Sequence, residues 1–199
     1  MIALSNMPKL AGDTLIILDV SGSMTSPISA RSNITIREAG AVYAMCILLT
    51  SENSDVIKFA THAKKFKFDL NDNLFHQIEK LDAAENLGYG TELWCAYNCA
   101  DRKYDRIMLI SDMQIMDDSS YWYGNSAITS YKNYCKQYGR TPIYSFDLGN
   151  YHTQTDNPNN PDVYLCTSLS EETLRFIGLL EDGENIVDYI NNNYDYRIV

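Results

Sequence analysis

The chain opens its regular pattern with Thr14–Val20 (TLIILDV), an unbroken block of aliphatic and β-branched residues between Gly12-Asp13 and Ser21-Gly22. Such a block predicts a strand buried on both faces. Thr35 with Glu38 forms a capping box, which predicts a helix running to about Ser51. Ala39, Val42, Tyr43, Cys46 and Ile47 are expected along one side of it. Asp55–Phe59 (DVIKF) and Lys64–Phe68 (KKFKF) predict two short strands joined by a tight turn, hence an antiparallel hairpin. Leu74, Ile78 and Leu81 have helical spacing. A Gly-punctuated loop, Asn86–Thr91, precedes a helix over about Glu92–Ala100, and Arg106–Ser111 (RIMLIS) is the next strand.

Beyond Asp112, the polar and aromatic residues Met116–Asn125 read as a loop. A helix over Ala127–Tyr138 and a strand over Pro142–Phe146 follow. Asn150–Pro161 is a polar surface excursion. Val163–Cys166 is a short last strand, and Ser170 caps a helix carrying Leu174, Phe176 and Ile177. A final helix is expected over Ile186–Ile190. Six strands alternating with helices imply an α/β fold: a mostly parallel sheet with one antiparallel edge strand and helices on both faces. The expected organisation is a linker-like segment, 1–12, and one domain, 13–199. In such sheets the ligand site lies beyond the carboxyl ends of the strands, near a topological switch point. Asp19 and Asp112 both fall at that edge.

Composition narrows the function. The chain has 199 residues and a formal charge of −10, which argues against non-specific binding of a phosphate backbone. Its dense basic run, Lys64-Lys65-Phe66-Lys67, reads as a solvated sheet edge that discourages edge pairing. Apolar runs such as Tyr43–Leu49 fall far short of the ~20 residues a bilayer helix needs, so no membrane span is expected. No secretory signal is evident before Asp13. Cys46, Cys95, Cys99, Cys135 and Cys166 form an odd set without CxxC, best read as buried apolar cysteines in a reducing, cytoplasmic setting. His62, His76 and His152 fall on different elements and suggest no shared site. Tyr121, Trp122 and Tyr123 read either as a lid or as a contact for a partner or nucleic acid.

The chemistry concentrates in Asp19-Val20-Ser21-Gly22-Ser23. Alternate residues of extended chain point the same way, so one carboxylate and two hydroxyls can converge, with Gly22 removing bulk. Thr91 adds a hydroxyl and Asp112 a second carboxylate. These hard oxygen donors suit Mg²⁺, with Mn²⁺ or Ca²⁺ as alternatives. Two carboxylates balance the ion's charge, and an open position would accept an acidic oxygen from outside. Either Asp or Ser alone could equally be capping a turn; the combination is what points to metal.

At these residues the chain resembles the von Willebrand factor A family and its metal-ion-dependent adhesion site, a Rossmann-like fold. Asp19, Ser21 and Ser23 match its DxSxS motif, Thr91 its threonine and Asp112 its second aspartate. A closer resemblance is to the A-type domain of the Ro 60-kDa autoantigen (TROVE-module) family. It rests on Asn6–Thr14 leading into Asp19–Met24, on Ser26–Ser29, Arg37-Glu38-Ala39, Gly90-Thr91-Glu92 and Ser111-Asp112. The resemblance implies a ribonucleoprotein component in which a ring of helical repeats, upstream of this domain, holds small non-coding RNA. It also implies a monomer that binds rather than catalyses, through a protein or other ligand offering an acidic oxygen. The linker-like 1–12 suits excision from a longer chain. Where that family has Gly-Gly-Thr-Asp and Thr-Asp-Asn, this chain has Gly88-Tyr89-Gly90-Thr91-Glu92 and Ser111-Asp112-Met113, so Tyr89 and Met113 are expected to reshape the mouth of the site. Two other functions fit the same residues less well. One is a stand-alone protein-interaction domain unconnected with RNA. The other is a Mg²⁺-dependent phosphohydrolase, which lacks an acid/base two positions after Asp19 and a lysine near either Asp.

Overall fold

A computed structural model describes residues 8–69, 71–115, 126–149 and 160–183. The elements in chain order are β1 (Leu10–Asp19), α1 (Ile36–Thr50), β2 (Ser51–Phe59), β3 (Ala63–Phe66), α2 (Leu74–Asp82), α3 (Leu93–Cys99), β4 (Arg106–Ser111), α4 (Ala127–Tyr138), β5 (Ile143–Asp147), β6 (Val163–Cys166) and α5 (Glu171–Glu181). They build a six-stranded sheet of order β3-β2-β1-β4-β5-β6. Neighbours pair in parallel except β3, which runs antiparallel on β2 at one edge. This is the expected mostly parallel α/β sheet.

The period-2 alternation of β1 divides the core between two faces. Ile16 and Leu18 pack with Val56, Met108, Ile110 and Phe146 under α1, α2 and α5. Leu15 and Ile17 pack with Ile57, Phe59, Ile107 and Leu109 under α3 and α4. With both faces covered, the continuous hydrophobic blocks seen in the sequence follow directly.

Two strands begin earlier than their hydrophobic pattern indicates. β1 starts at Leu10, inside the linker-like segment, and pairs with the polar start of β2 from Ser51. Gly12-Asp13 is an irregularity within the strand, with Gly12 at φ +76°. A Cβ there would crowd the carboxylate end of Asp105, and the left-handed backbone favours glycine. Solvated strand ends carry no hydrophobic signal, which is why the pattern hides them.

α1 carries the expected capping box: Glu38 N donates to Thr35 Oγ1 at 3.1 Å and Thr35 N donates to Glu38 Oε2 at 2.7 Å. Its buried side differs in part from expectation. Tyr43 and Ile47 are buried, together with Ile36, Ala41, Ala44 and Met45, while Val42 is exposed and Ala39 and Cys46 are half-buried. α1 is apolar on more sides than its own sheet can cover.

Lys58, on β2, is buried and replaces water at the end of α2. Its ammonium donates to the carbonyls of Lys80 and Ala83 and pairs with Glu85 at 3.3 Å. A cation on the last helical carbonyls complements the helix dipole. It also anchors the start of the loop that leads to Thr91. Burial pushes the Lys58 ammonium below its usual range, and Glu85 opposes that shift.

No helix among the described residues is long and apolar enough to cross a membrane. The expected helix at Ile186–Ile190, the aromatic loop Tyr121–Tyr123, His152 and most of the excursion Asn150–Pro161 lie outside the described residues.

Candidate metal centre

From β1 the chain crosses to β2 on one side, and from β4 to β5 on the other, so the switch point lies between β1 and β4. Asp19 is the last residue of β1, and Asp112 follows the last residue of β4. Both carboxylates are fully buried.

Asp19 is held from two directions. Ser21 N donates to its Oδ1 at 2.8 Å, which turns the chain sharply out of the strand. Ser111 Oγ donates to its Oδ2 at 2.6 Å, across from β4. Ser21 and Ser23 bring their hydroxyls within 3.2 Å of each other, and a single 3-10 turn over Ser23–Thr25 fixes that convergence. The turn, not extended alternation, brings the Ser21 and Ser23 hydroxyls side by side beyond Asp19.

Asp112 differs. Its Oδ1 accepts from Gln114 N at 3.1 Å. Its Oδ2 is buried and has no hydrogen-bond partner among the described residues. An unsatisfied buried carboxylate oxygen costs free energy, and such exceptions in native folds call for a missing partner. Burial, with Asp112 adding like charge, pushes the Asp19 carboxyl up to about 6, against the lowering effect of its hydrogen bonds from Ser111 and Ser21. No cationic side chain is among the partners of either carboxylate among the described residues. A cation seated between them would relieve both strains.

Thr91 is buried in the loop between α2 and α3. That loop is set by left-handed backbone at Glu85, Asn86 and Gly88. It is tied to the β2–β3 turn by Gly90 N donating to Thr61 Oγ1 at 2.9 Å and by Glu92 N donating to Ala60 O at 2.9 Å. Gly22 N donates to Tyr89 O at 3.0 Å, which clamps the threonine loop onto the DxSxS loop. The five expected donors therefore come from three loops at one sheet edge, and the chemistry of the set fits a hard divalent ion. Among the described residues no three His, Cys, Asp or Glu side chains gather.

Two contributors escaped the sequence reading. Ser111 acts as the hydroxyl tie between the two aspartate loops, and its only sequence signal is its place just before a strand-end Asp. Thr61 props Gly88 and Gly90 from 29 and fewer positions upstream, and nothing local marks it. Of the two departures expected at the mouth, Tyr89 is exposed at the rim, whereas Met113 is buried with φ +62°. Met113 N donates to Ser111 Oγ at 3.1 Å, and its sulfur lies 3.5 Å from Ser145 Oγ on β5, so its side chain turns inward instead of facing the mouth. A left-handed non-glycine backbone at a strand-end loop is strain of the kind stored at functional sites.

The histidines stay apart: His62 is exposed in the hairpin turn, and His76 pairs with Asp72 on α2. All five cysteines are free. Cys95 is buried as expected, and burial raises its thiol to about 12; the other four keep partial exposure, a correction to their reading as buried.

The family model described as "Ro60 vWA domain" matches residues 14–146. The chain belongs to the Ro60 von Willebrand factor A domain family. Its fold is similar to that of the Ro (RSR) protein of Deinococcus radiodurans, with TM-score 0.65, 18% identity, and coverage of 92% of this chain and 36% of that one. It is also similar to an aerotolerance-related membrane protein of Bacteroides fragilis (TM-score 0.54, 14% identity, 86% and 98% covered). A third similar structure is proximal thread matrix protein 1 of the mussel byssus with a zinc-occupied MIDAS motif (TM-score 0.51, 12% identity, 86% and 48% covered). At these identities the likeness is one of fold. No curated protein matches the sequence. This Ro-type A domain spans about a third of the length of the Deinococcus protein.

Proposed function

We propose that this Ro-type A domain is a metal-dependent binding module in which Asp19, Ser21, Ser23, Thr91 and Asp112 hold a divalent ion, Mg²⁺ in the first instance, with Mn²⁺ or Ca²⁺ as alternatives. The observation that carries the reading is the buried, unpartnered Oδ2 of Asp112 facing the same strand edge as the buried Asp19 and the paired Ser21 and Ser23 hydroxyls. The mussel protein with zinc in its MIDAS motif supports the use of this motif for divalent metal. When bound, the ion supplies a Lewis-acidic position that an acidic oxygen of a partner completes.

The chain's own residues then divide the work. Ser21 N and Ser111 Oγ orient Asp19. Gly22 and Tyr89, through their backbone bond, keep the two hydroxyl-bearing loops together. Among the described residues, the hydrogen-bond partners of the two aspartates are Ser21 N, Ser111 Oγ and Gln114 N rather than an acid/base side chain, which supports reading the site as one that binds. Association with small non-coding RNA follows from the Ro family, through a part of such proteins outside this domain; the acidic body of this one gives RNA no electrostatic help. A monomer working in the cytoplasm is the corresponding setting.

Calorimetric titration with Mg²⁺ and Mn²⁺ tests the reading. Saturable binding is expected, strongly weakened by Asp19→Ala or Ser21→Ala and unaffected by Ser29→Ala. Absence of heat and of any melting-temperature shift at millimolar metal would reduce the site to an inert remnant. Turnover of phosphate esters that depends on Asp19 would replace binding with catalysis.

A further inference from the structure

The metal site occupies one edge of the sheet; the flank of α1 presents a separate surface. Ala39, Val42, Cys46 and Leu49 recur on α1 at spacings of three, four and three, the seam spacing of helices that pack on other helices. The fold does not bury this seam: Val42 is 47% exposed and Leu49 39%, and Ala39 and Cys46 are half-buried. Ile34, ahead of the helix, is 55% exposed. Val42 and Cys46 form one wall of a groove of about 750 Å³, closed on the far sides by Ile78 of α2 and by Leu169 before α5.

The rim has one sign of charge. Glu38, Glu79, Asp82 and Glu171 line the groove, and among the described residues no Lys or Arg does. Arg37 and Arg175 each reach one of these acids from outside, which leaves the rim in acidic excess on a body already at −10. A second copy of the chain would bring acidic rim against acidic rim. A basic partner would gain from the same field in encounter and in register.

We propose that the α1–α2 groove docks an amphipathic α-helix of a partner protein, its apolar seam lying along Ala39, Val42 and Cys46 and its flanks carrying Lys or Arg. The stretch of α1 from Ala39 to Cys46 covers two turns, about 10 Å of helix axis. This is helix-in-groove recognition read through anchors at i, i+3 and i+7. The groove shares no residue with the metal centre, so the interaction needs no metal.

The test uses two labelled helical peptides of about 18 residues with the same leucine seam, one with lysine flanks and one with glutamate flanks. Both are titrated onto the full chain in chelator and followed by fluorescence anisotropy. The lysine peptide is expected to bind saturably at one site, at least about tenfold tighter than the glutamate peptide, and to protect Cys46 from alkylation. Val42→Asp and Ile34→Asp, both on exposed positions, are expected to weaken it about tenfold or more even though each adds negative charge. Undiminished binding to these variants would show attraction by surface charge alone and overturn the proposal. So would equal binding of the two peptides, or no binding. A concentration-dependent dimer that Val42→Asp dissociates in sedimentation would assign the groove to a second copy. Because metal is absent throughout, none of these results depends on the metal-site reading.

Discussion

Ser111 donates its hydroxyl to Asp19 at 2.6 Å, joining the ends of β4 and β1 at the point where the sheet's connections diverge. The same oxygen accepts from Met113 N. One hydroxyl thus orients the first carboxylate and shapes the loop that carries the second.

Ser111→Ala leaves Asp19 Oδ2 buried without its donor. A loss of about 1–3 kcal/mol is expected, the cost of a stranded buried acceptor, together with weaker metal binding. Ser111→Thr keeps the hydroxyl and is expected to stay within about 1 kcal/mol of the parent. Urea unfolding of the three proteins in chelator, then with Mg²⁺, checks both statements. An alanine variant as stable as the serine parent would show that the bond is dispensable.

Asp112→Asn separates folding from binding. It removes like charge from beside Asp19, so without metal the variant is expected to melt no lower than the parent. Metal should raise the melting temperature of the parent by mass action, about 2.7 kcal/mol of stabilisation at a hundredfold excess over Kd, and fail to raise that of Asp112→Asn. Thermal scans across a Mg²⁺ series decide it; an equal shift in both proteins would remove Asp112 from the ligand set.

Gly88→Ala addresses the threonine loop. Gly88 has φ +89°, and a Cβ there would meet Thr61 Oγ1 at 2.5 Å. Backbone strain and the clash together are expected to cost about 1–3 kcal/mol. Gly139→Ala, also at positive φ but with open space around it, should cost about 1–2 kcal/mol from backbone strain alone. Equal losses in denaturant unfolding would mean that the Thr61 contact is readily relieved.

Acid stability reports on the start of α2. Lys80 and His76 hold the Asp72 carboxyl well below its usual value, at about 2. Because the folded-state value lies below the unfolded one, about 3.9, this ion cluster stabilises the fold above pH ~4 and loses its contribution as pH falls toward 2. Asp72→Asn is expected to flatten the pH dependence of stability in that window and leave the slope above it unchanged. A titration of melting temperature from neutral pH downward makes the comparison.

Much of this architecture was legible along the chain because its causes are local. Arg106–Ser111, Ala127–Tyr138 and Val163–Cys166 fall where pattern and caps place them, since hydrophobic period and capping side chains act within a few residues. Asp19, Ser21 and Ser23 declared themselves because they lie within five residues of one another, although a turn at Ser21–Gly22 and a 3-10 turn from Ser23, not extended chain, bring the two hydroxyls together. The polar beginnings of β1 and β2 were invisible because their pairing is between segments some forty residues apart. The outward face of Val42 and Cys46 was equally hidden, because a helix's apolar residues do not say which of them the sheet will cover. The meeting of Asp112 with Asp19, and the support of Gly88 and Gly90 by Thr61, exist because strand order and loop packing bring distant residues to one edge. The donor types could be read from the chain, but the buried, unpartnered oxygen that makes them a candidate metal centre arises when the folded body excludes water from Asp112.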